Sequence, residues 1–202
     1  MALLVFPSDI FPTECDWRLV PRTQVFSNPF NGSVQTLSLP GAYWQAQLSF
    51  ANLSRDHAAR LHALITQLRG PSGRIQLWDH AFATPRGAAG GNPTINGAGQ
   101  VGGLLNIKGC TPSSVFLKTG DYCQIGLQRV MVTADAIANA TGLCTLQVEA
   151  PIRYAPANGS AIIVNKASAV MMLKDDDQGG RRSSKKLVLS SLSLTFFEDV
   201  NT

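Results

Sequence analysis

Charge is scarce in this 202-residue chain, with Asp, Glu, Lys and Arg together making up only 15% of residues. Soluble domains usually carry about a quarter, so part of the surface is expected to be covered by partners. At 45% hydrophobic the chain is globular rather than disordered. The net charge of +4 is spread along the chain apart from one cluster near the C-terminus. It does not form the basic stripe with interleaved aromatics that marks a nucleic-acid surface. No run reaches the roughly 20 apolar residues of a membrane span. The start, Met1 to Pro7, lacks a basic segment and soon meets proline, which argues against an export signal. Cys15, Cys110, Cys123 and Cys144 contain no C-x-x-C pair, so a zinc site is not expected. They read as reduced, partly buried thiols of a protein made in the cytoplasm. There is no internal repeat.

Catalytic signatures are equally thin. There is no G-x-S-x-G elbow and no H-E-x-x-H. Gly97 to Gly102 fits G-x-G-x-x-G, yet Gly103 to Ile107, Gly109 and Pro112 follow, leaving no helix to receive a pyrophosphate. His57 and His62 are five residues apart on a helix and share no metal-binding face. Asp79-His80 lacks a neighbouring nucleophile and reads as a surface turn. Asp175-Asp176-Asp177 lacks the spacing of a calcium loop and, with Arg181 and Arg182, reads as an exposed hairpin tip able to meet a neighbouring subunit. Trp17, Tyr43, Trp44, Trp78, Phe196 and Phe197 read as core rather than as a sugar-stacking surface. No catalytic residue, cofactor or metal is expected.

What is present is mainly β. Residues 1 to 40 are short apolar pieces broken by Pro7, Pro12, Pro21, Pro29 and Pro40, within which Arg22 to Phe26 and Ser33 to Leu39 alternate as strands around Asn31-Gly32. In Ala42 to Phe50, Trp44, Ala46, Leu48 and Phe50 share one face of a half-buried strand. The single helix starts at Ser54 and shows Ala58, Leu61, Leu64, Ile65 and Leu68 at helical spacing, with Arg60 facing outward. Gly70 as left-handed cap and Pro71 end it. A strand at Arg74 to Trp78 follows. From Ala83 to Gly103 the composition changes abruptly, and Pro85 to Pro93 reads as a linker unable to hold regular structure. Short strands come next: Leu104 to Ile107, Val115 to Leu117, Tyr122 to Leu127, Arg129 to Ala134 and Thr145 to Glu149. Their glycine turns suggest a small barrel. Residues 162 to 173 and Lys186 to Phe197 return to strand character. The expected organisation is a β-sandwich or barrel-like domain built from both chain ends, 1–84 plus 165–202, around an inserted barrel at 85–164. The apolar arm, with Leu3, Leu4, Val5, Phe6, Ile10 and Phe11, is long for so small a domain to bury. A neighbour is expected to cover it.

In order and spacing these parts resemble the distal tail proteins of long-tailed, non-contractile bacteriophages. The carrying residues are Tyr43-Trp44 to Phe50, the helix through Leu68 to Arg69-Gly70, Arg74 to Trp78, Gly97 to Gly102, Gly120-Asp121, Leu146 to Arg153, and Ser191 to Thr195 with Glu198. The resemblance implies a ring of six subunits at the tail tip, closed by the domain from the two chain ends, with an OB-like barrel on the outside. It implies the tail tube protein and the baseplate hub as partners, and the tape measure protein or DNA in the lumen. It also implies a virion protein assembled in the host cytoplasm, with no membrane partner and no catalysis. The charged loop from Lys174 to Lys186 matches no fixed feature of that family. Two readings of other classes stand beside it: a carbohydrate-binding module for a host saccharide, and a cell-wall hydrolase, which would need an acid and base pair that the sequence does not offer.

Overall fold

The computed structural model describes residues 3–179 and 191–201. Among these residues fourteen strands form two six-stranded sheets and a two-stranded ribbon, beside one α-helix. The first sheet has the order β1-β4-β13-β14-β3-β2, from Leu3–Val5, Arg74–Trp78, Ser168–Leu173, Leu192–Glu198, Val34–Phe50 and Glu14–Ser27. Its two central strands come from the C-terminal part of the chain, so the sheet exists only once both ends have met. All pairs are antiparallel except β1 with β4.

Helix α1, Arg55–Leu68, packs on one face of this sheet. Ser54 caps its first turn, its hydroxyl accepting from the His57 N–H at 3.2 Å. Leu61 and Leu68 pack into the same core as Ala46, Leu48, Ile75, Leu77, Met171, Leu194 and Phe196. Arg69, not Gly70, is the left-handed cap (φ 52°), and its N–H returns to the Ile65 carbonyl. Gly70 also has positive φ but opens a short 3₁₀ turn. Asp176 sits over it so closely that a side chain at residue 70 would overlap the carboxylate.

The second sheet has the order β12-β8-β9-β11-β6-β5, from Ile162–Ile163, Tyr122–Ile125, Gln128–Val132, Cys144–Ile152, Gly102–Cys110 and Gly91–Ile95. A bridge between Thr94 and Ala161 brings its edges together into a nearly closed barrel. Strand β11 alternates buried and exposed residues without a break, as a barrel wall requires. The interior holds Leu105, Ile107, Phe116, Cys123, Val130, Val132, Leu146 and Val148. Strands β7, Val115–Leu117, and β10, Ala136–Ile137, pair as a ribbon beside it.

Two sequence readings need correction. The supposed linker runs into β5, because Pro93 lies on an edge strand where the register with β6 slips between Gly91 and Thr94, so no ladder bond is asked of its nitrogen. Gly91, at φ 92°, absorbs the irregular register there. Pro21 likewise does not break β2. It sits on an edge strand of the first sheet, where the register slips between Val20 and Arg22 and the strand runs on.

Candidate assembly surface and the junction behind it

Beyond Pro21, β2 and β3 leave the sheet together as a two-stranded ribbon. Registered pairs run from Arg22 opposite Leu39 to Ser27 opposite Val34, a reach of about 20 Å at 3.4 Å per residue. The turn is self-contained: Asn28 N–H donates to the Ser33 carbonyl and Asn28 Oδ1 accepts from the Phe30 N–H. Gly32 supplies the positive φ of 69°. Among the described residues no other element pairs with this ribbon, and both faces carry exposed apolar side chains. Period two places Phe26, Leu37 and Leu39 on one face and Val25 and Val34 on the other. Their exposure runs from 36% at Leu39 to 62% at Val25, and Phe30 at the tip is 97% exposed. Sequence reasoning found the hairpin but not its importance. The missed signal is plain in the chain: no Asp, Glu, Lys, Arg or His occurs between Arg22 and Arg55. Natural edge strands usually carry charges that block pairing, and a lone ribbon is marginal in water.

The N-terminal arm is placed differently from the expectation. Phe6 and Ile10 are buried in the chain's own core, Phe6 stacked at 6.2 Å from Phe50 and edge-on to Trp78. They offer nothing to a neighbour, because the end of the sheet under α1 leaves a gap that they fill. Leu3, Val5 and Phe11 stay exposed, and Leu4 packs partly against the core. Arg60 holds the arm down through two bonds to Asp9, at 2.5 and 2.9 Å. That pairing lowers the Asp9 pKa and raises that of Arg60. Asp175, Asp176 and Asp177 are exposed, while Arg181 and Arg182 lie outside the described residues. The structure does not gather these residues into one site.

Behind the surface, the barrel is fixed to the first sheet by a buried arginine that sequence reasoning also missed. Arg129 on β9 is fully buried. Its guanidinium carbon lies 3.7 Å from the Tyr122 ring centre, 4.1 Å from that of Trp17 and 5.3 Å from that of Trp44. Its Nη2 donates to Asp79 Oδ2 at 3.3 Å, and the Trp44 indole donates to the Arg129 carbonyl at 3.0 Å. Asp79-His80 is therefore no surface turn. The Asp79 carboxylate is the buried counter-ion, and it also accepts from the Cys15 thiol (3.6 Å) and the Ala81 N–H (3.0 Å). Burial pushes the Arg129 pKa down against the opposing pull of Tyr122 and Asp79. Burial also takes His80 down to about 4 and raises the Cys15 thiol. Cys15 and His80 thus sit as neutral thiol and neutral imidazole at physiological pH, without the activation a thiolate nucleophile needs. Two further contacts cross the junction. Gln124 Oε1 accepts from both the Ser168 N–H and hydroxyl, and Glu198 Oε2 accepts from the Trp44 N–H and pairs with Arg153 at 2.8 Å.

At the entrance to the barrel, Asp121 accepts from the N–H groups of Arg86, Gly87 and Lys118 at 2.8–3.0 Å and pairs with the Arg86 side chain. Burial opposes its ionisation, but these donors outweigh burial and leave its pKa below the usual value. A depressed carboxylate contributes stability above its ordinary pKa and loses it as pH falls through the folded value. Asp121→Asn is therefore expected to cost about 1.5–3 kcal/mol at pH 7. The gap from the native chain should close as pH drops below about 4, measured by urea unfolding across pH 2.5–7. A gap that stays constant with pH would show that the charge is not what the loop needs.

No known protein-family model matches the chain, and no curated protein matches it. Among the described residues, no group of His, Cys, Asp or Glu could hold a metal ion, and no helix is long and apolar enough to cross a membrane.

Proposed function

We propose that this chain is a structural ring subunit of a phage tail tip, of the distal-tail kind. Six copies would join the tail tube to the baseplate hub around a lumen for the tape measure protein or DNA. The observation that carries this reading is the ribbon beyond Arg22, which holds no charged residue from Thr23 to Leu39, is apolar on both faces and is continuous with the edge of β2. The first sheet ends in β2 on one side and in β1, with exposed Leu3 and Val5, on the other. Two different patches at opposite edges suit a head-to-tail contact, and such contacts close into rings when the rotation permits. Closure also removes free strand edges. In this reading residues 1–84 with 165–202 build the ring, and the insert at 85–164 rides outside it, held by Arg129.

The test is the absolute mass of the purified chain by light scattering, with negative-stain imaging of the main peak. Six times the mass of one chain, in ring-shaped particles, is the expected result. A chain that stays monomeric at its highest soluble concentration, and also with tube protein added, would overturn the proposal.

A further inference from the structure

The barrel carries an open cleft of about 490 Å³ between β6, the start of β11 and the β7–β10 ribbon, within the size range of small-ligand sites. Its polar lining comes from Asn96, Asn106, Asp135 and Asn139, beside the aliphatic Ile137 and Leu143. These polar groups are held by the chain's own bonds. Asn139 Oδ1 accepts from the Thr141 N–H, the Thr141 hydroxyl and the Leu143 N–H at 2.8–2.9 Å, leaving the amide NH₂ uncommitted. Asn106 Oδ1 accepts from the Thr145 hydroxyl at 2.8 Å, which frees its NH₂ in the same way. Asp135 Oδ1 accepts twice from Thr119, through N–H and hydroxyl, each at 2.8 Å. Its second oxygen has no bond to a described residue. Ile137 is 65% exposed and Leu143 40% exposed.

We infer that this cleft binds a neutral saccharide. Oriented NH₂ donors next to an acceptor-only carboxylate call for a ligand whose neighbouring groups each both donate and accept, and a hydroxyl does both. The exposed Ile137 and Leu143 offer an apolar contact for the C–H face of a pyranose. A phosphate or sulfate would meet the Asp135 charge, and a cation would find only one carboxylate. This inference belongs to the saccharide reading kept beside the ring and does not rest on ring formation. An open cleft without an aromatic platform implies weak binding, on the order of 0.1–1 mM.

The experiment is saturation-transfer NMR on the full chain with glucose, galactose, mannose, rhamnose and N-acetylglucosamine and their β-linked disaccharides. Dissociation constants follow by titration. The expected result is signal from at least one sugar, weakened at least tenfold in both Asn96→Ala and Ile137→Lys, with the melting temperature unchanged. Two variants of exposed residues guard against the failure of either to fold. Silence across the panel overturns the inference, as does binding that both variants retain. A competing tetra-alanine peptide that displaces the sugar would show a peptide groove instead. Mass is recorded on the same samples: a ring that binds no sugar overturns only this inference, and a chain that binds sugar yet stays monomeric even with tube protein added overturns only the ring.

Discussion

Arg129→Ala is expected to destabilise the chain by about 3–5 kcal/mol, because removing one partner of a buried ion pair leaves the other charged and alone. Asp79 would keep only the Cys15 thiol and the Ala81 N–H, and the space between Trp17, Trp44 and Tyr122 would open as a cavity. For a chain of this length the melting temperature should fall by about 10 °C. The loss has a characteristic form as well as a size. Arg129 touches residues of both sheets, so its removal should uncouple them and split one unfolding transition into two. Fluorescence from Trp17 and Trp44 should follow the earlier step. Arg129→Lys keeps the charge but not the planar face that lies over the rings, and is expected between the native chain and the alanine variant. A cost below about 1 kcal/mol for Arg129→Ala, far under the range for breaking a buried pair, would show that the junction is held by the Gln124–Ser168 and Arg153–Glu198 contacts instead.

What could be read from the sequence was whatever is local. Ser54 and the spacing of Leu61 to Leu68 fix the helix because cap and periodicity lie within a few residues of each other. Trp44, Ala46, Leu48 and Phe50 show a buried face because a strand declares it by alternation. The mainly β character follows from many such segments. Proline misleads the reading at Pro21 and Pro93, since its effect on a strand depends on whether that strand lies at a sheet edge, which no local window contains. Phe6 and Ile10 read as a neighbour's contact because the core that receives them is built by strands far away in the chain. Arg129 was invisible for the same reason. In the run Gln128 to Val132 it is one charged residue in an ordinary strand. Only the docking of β9 against Trp17 and Trp44 of the first sheet turns it into a buried cation among aromatic faces. The ribbon was legible as a hairpin, but its isolation was not, because that depends on which other strands fail to reach it.

Placing charge on that ribbon should abolish assembly while leaving the fold intact. In Val25→Glu with Leu37→Glu, one carboxylate enters each face of the ribbon, since Val25 pairs with Thr36 and Leu37 with Gln24. Both positions are at least half exposed in the single chain, so the effect on monomer stability should stay within about 0.5 kcal/mol. At a subunit contact the same carboxylates would have to be stripped of water without a partner, at a cost of several kcal/mol each. Six identical contacts repeat the penalty around a ring. A loss of about 3 kcal/mol at each is already a hundredfold weaker association. The expected outcome is a particle of one-chain mass at concentrations where the native chain forms rings, with an unchanged melting curve. Rings that persist with both glutamates would mean that the ribbon points away from every neighbour, and assembly would then have to run through the β1 edge and the face of α1. A melting temperature that falls by several degrees would mean that the ribbon already supports its own subunit, and its apolar faces would no longer argue for a partner.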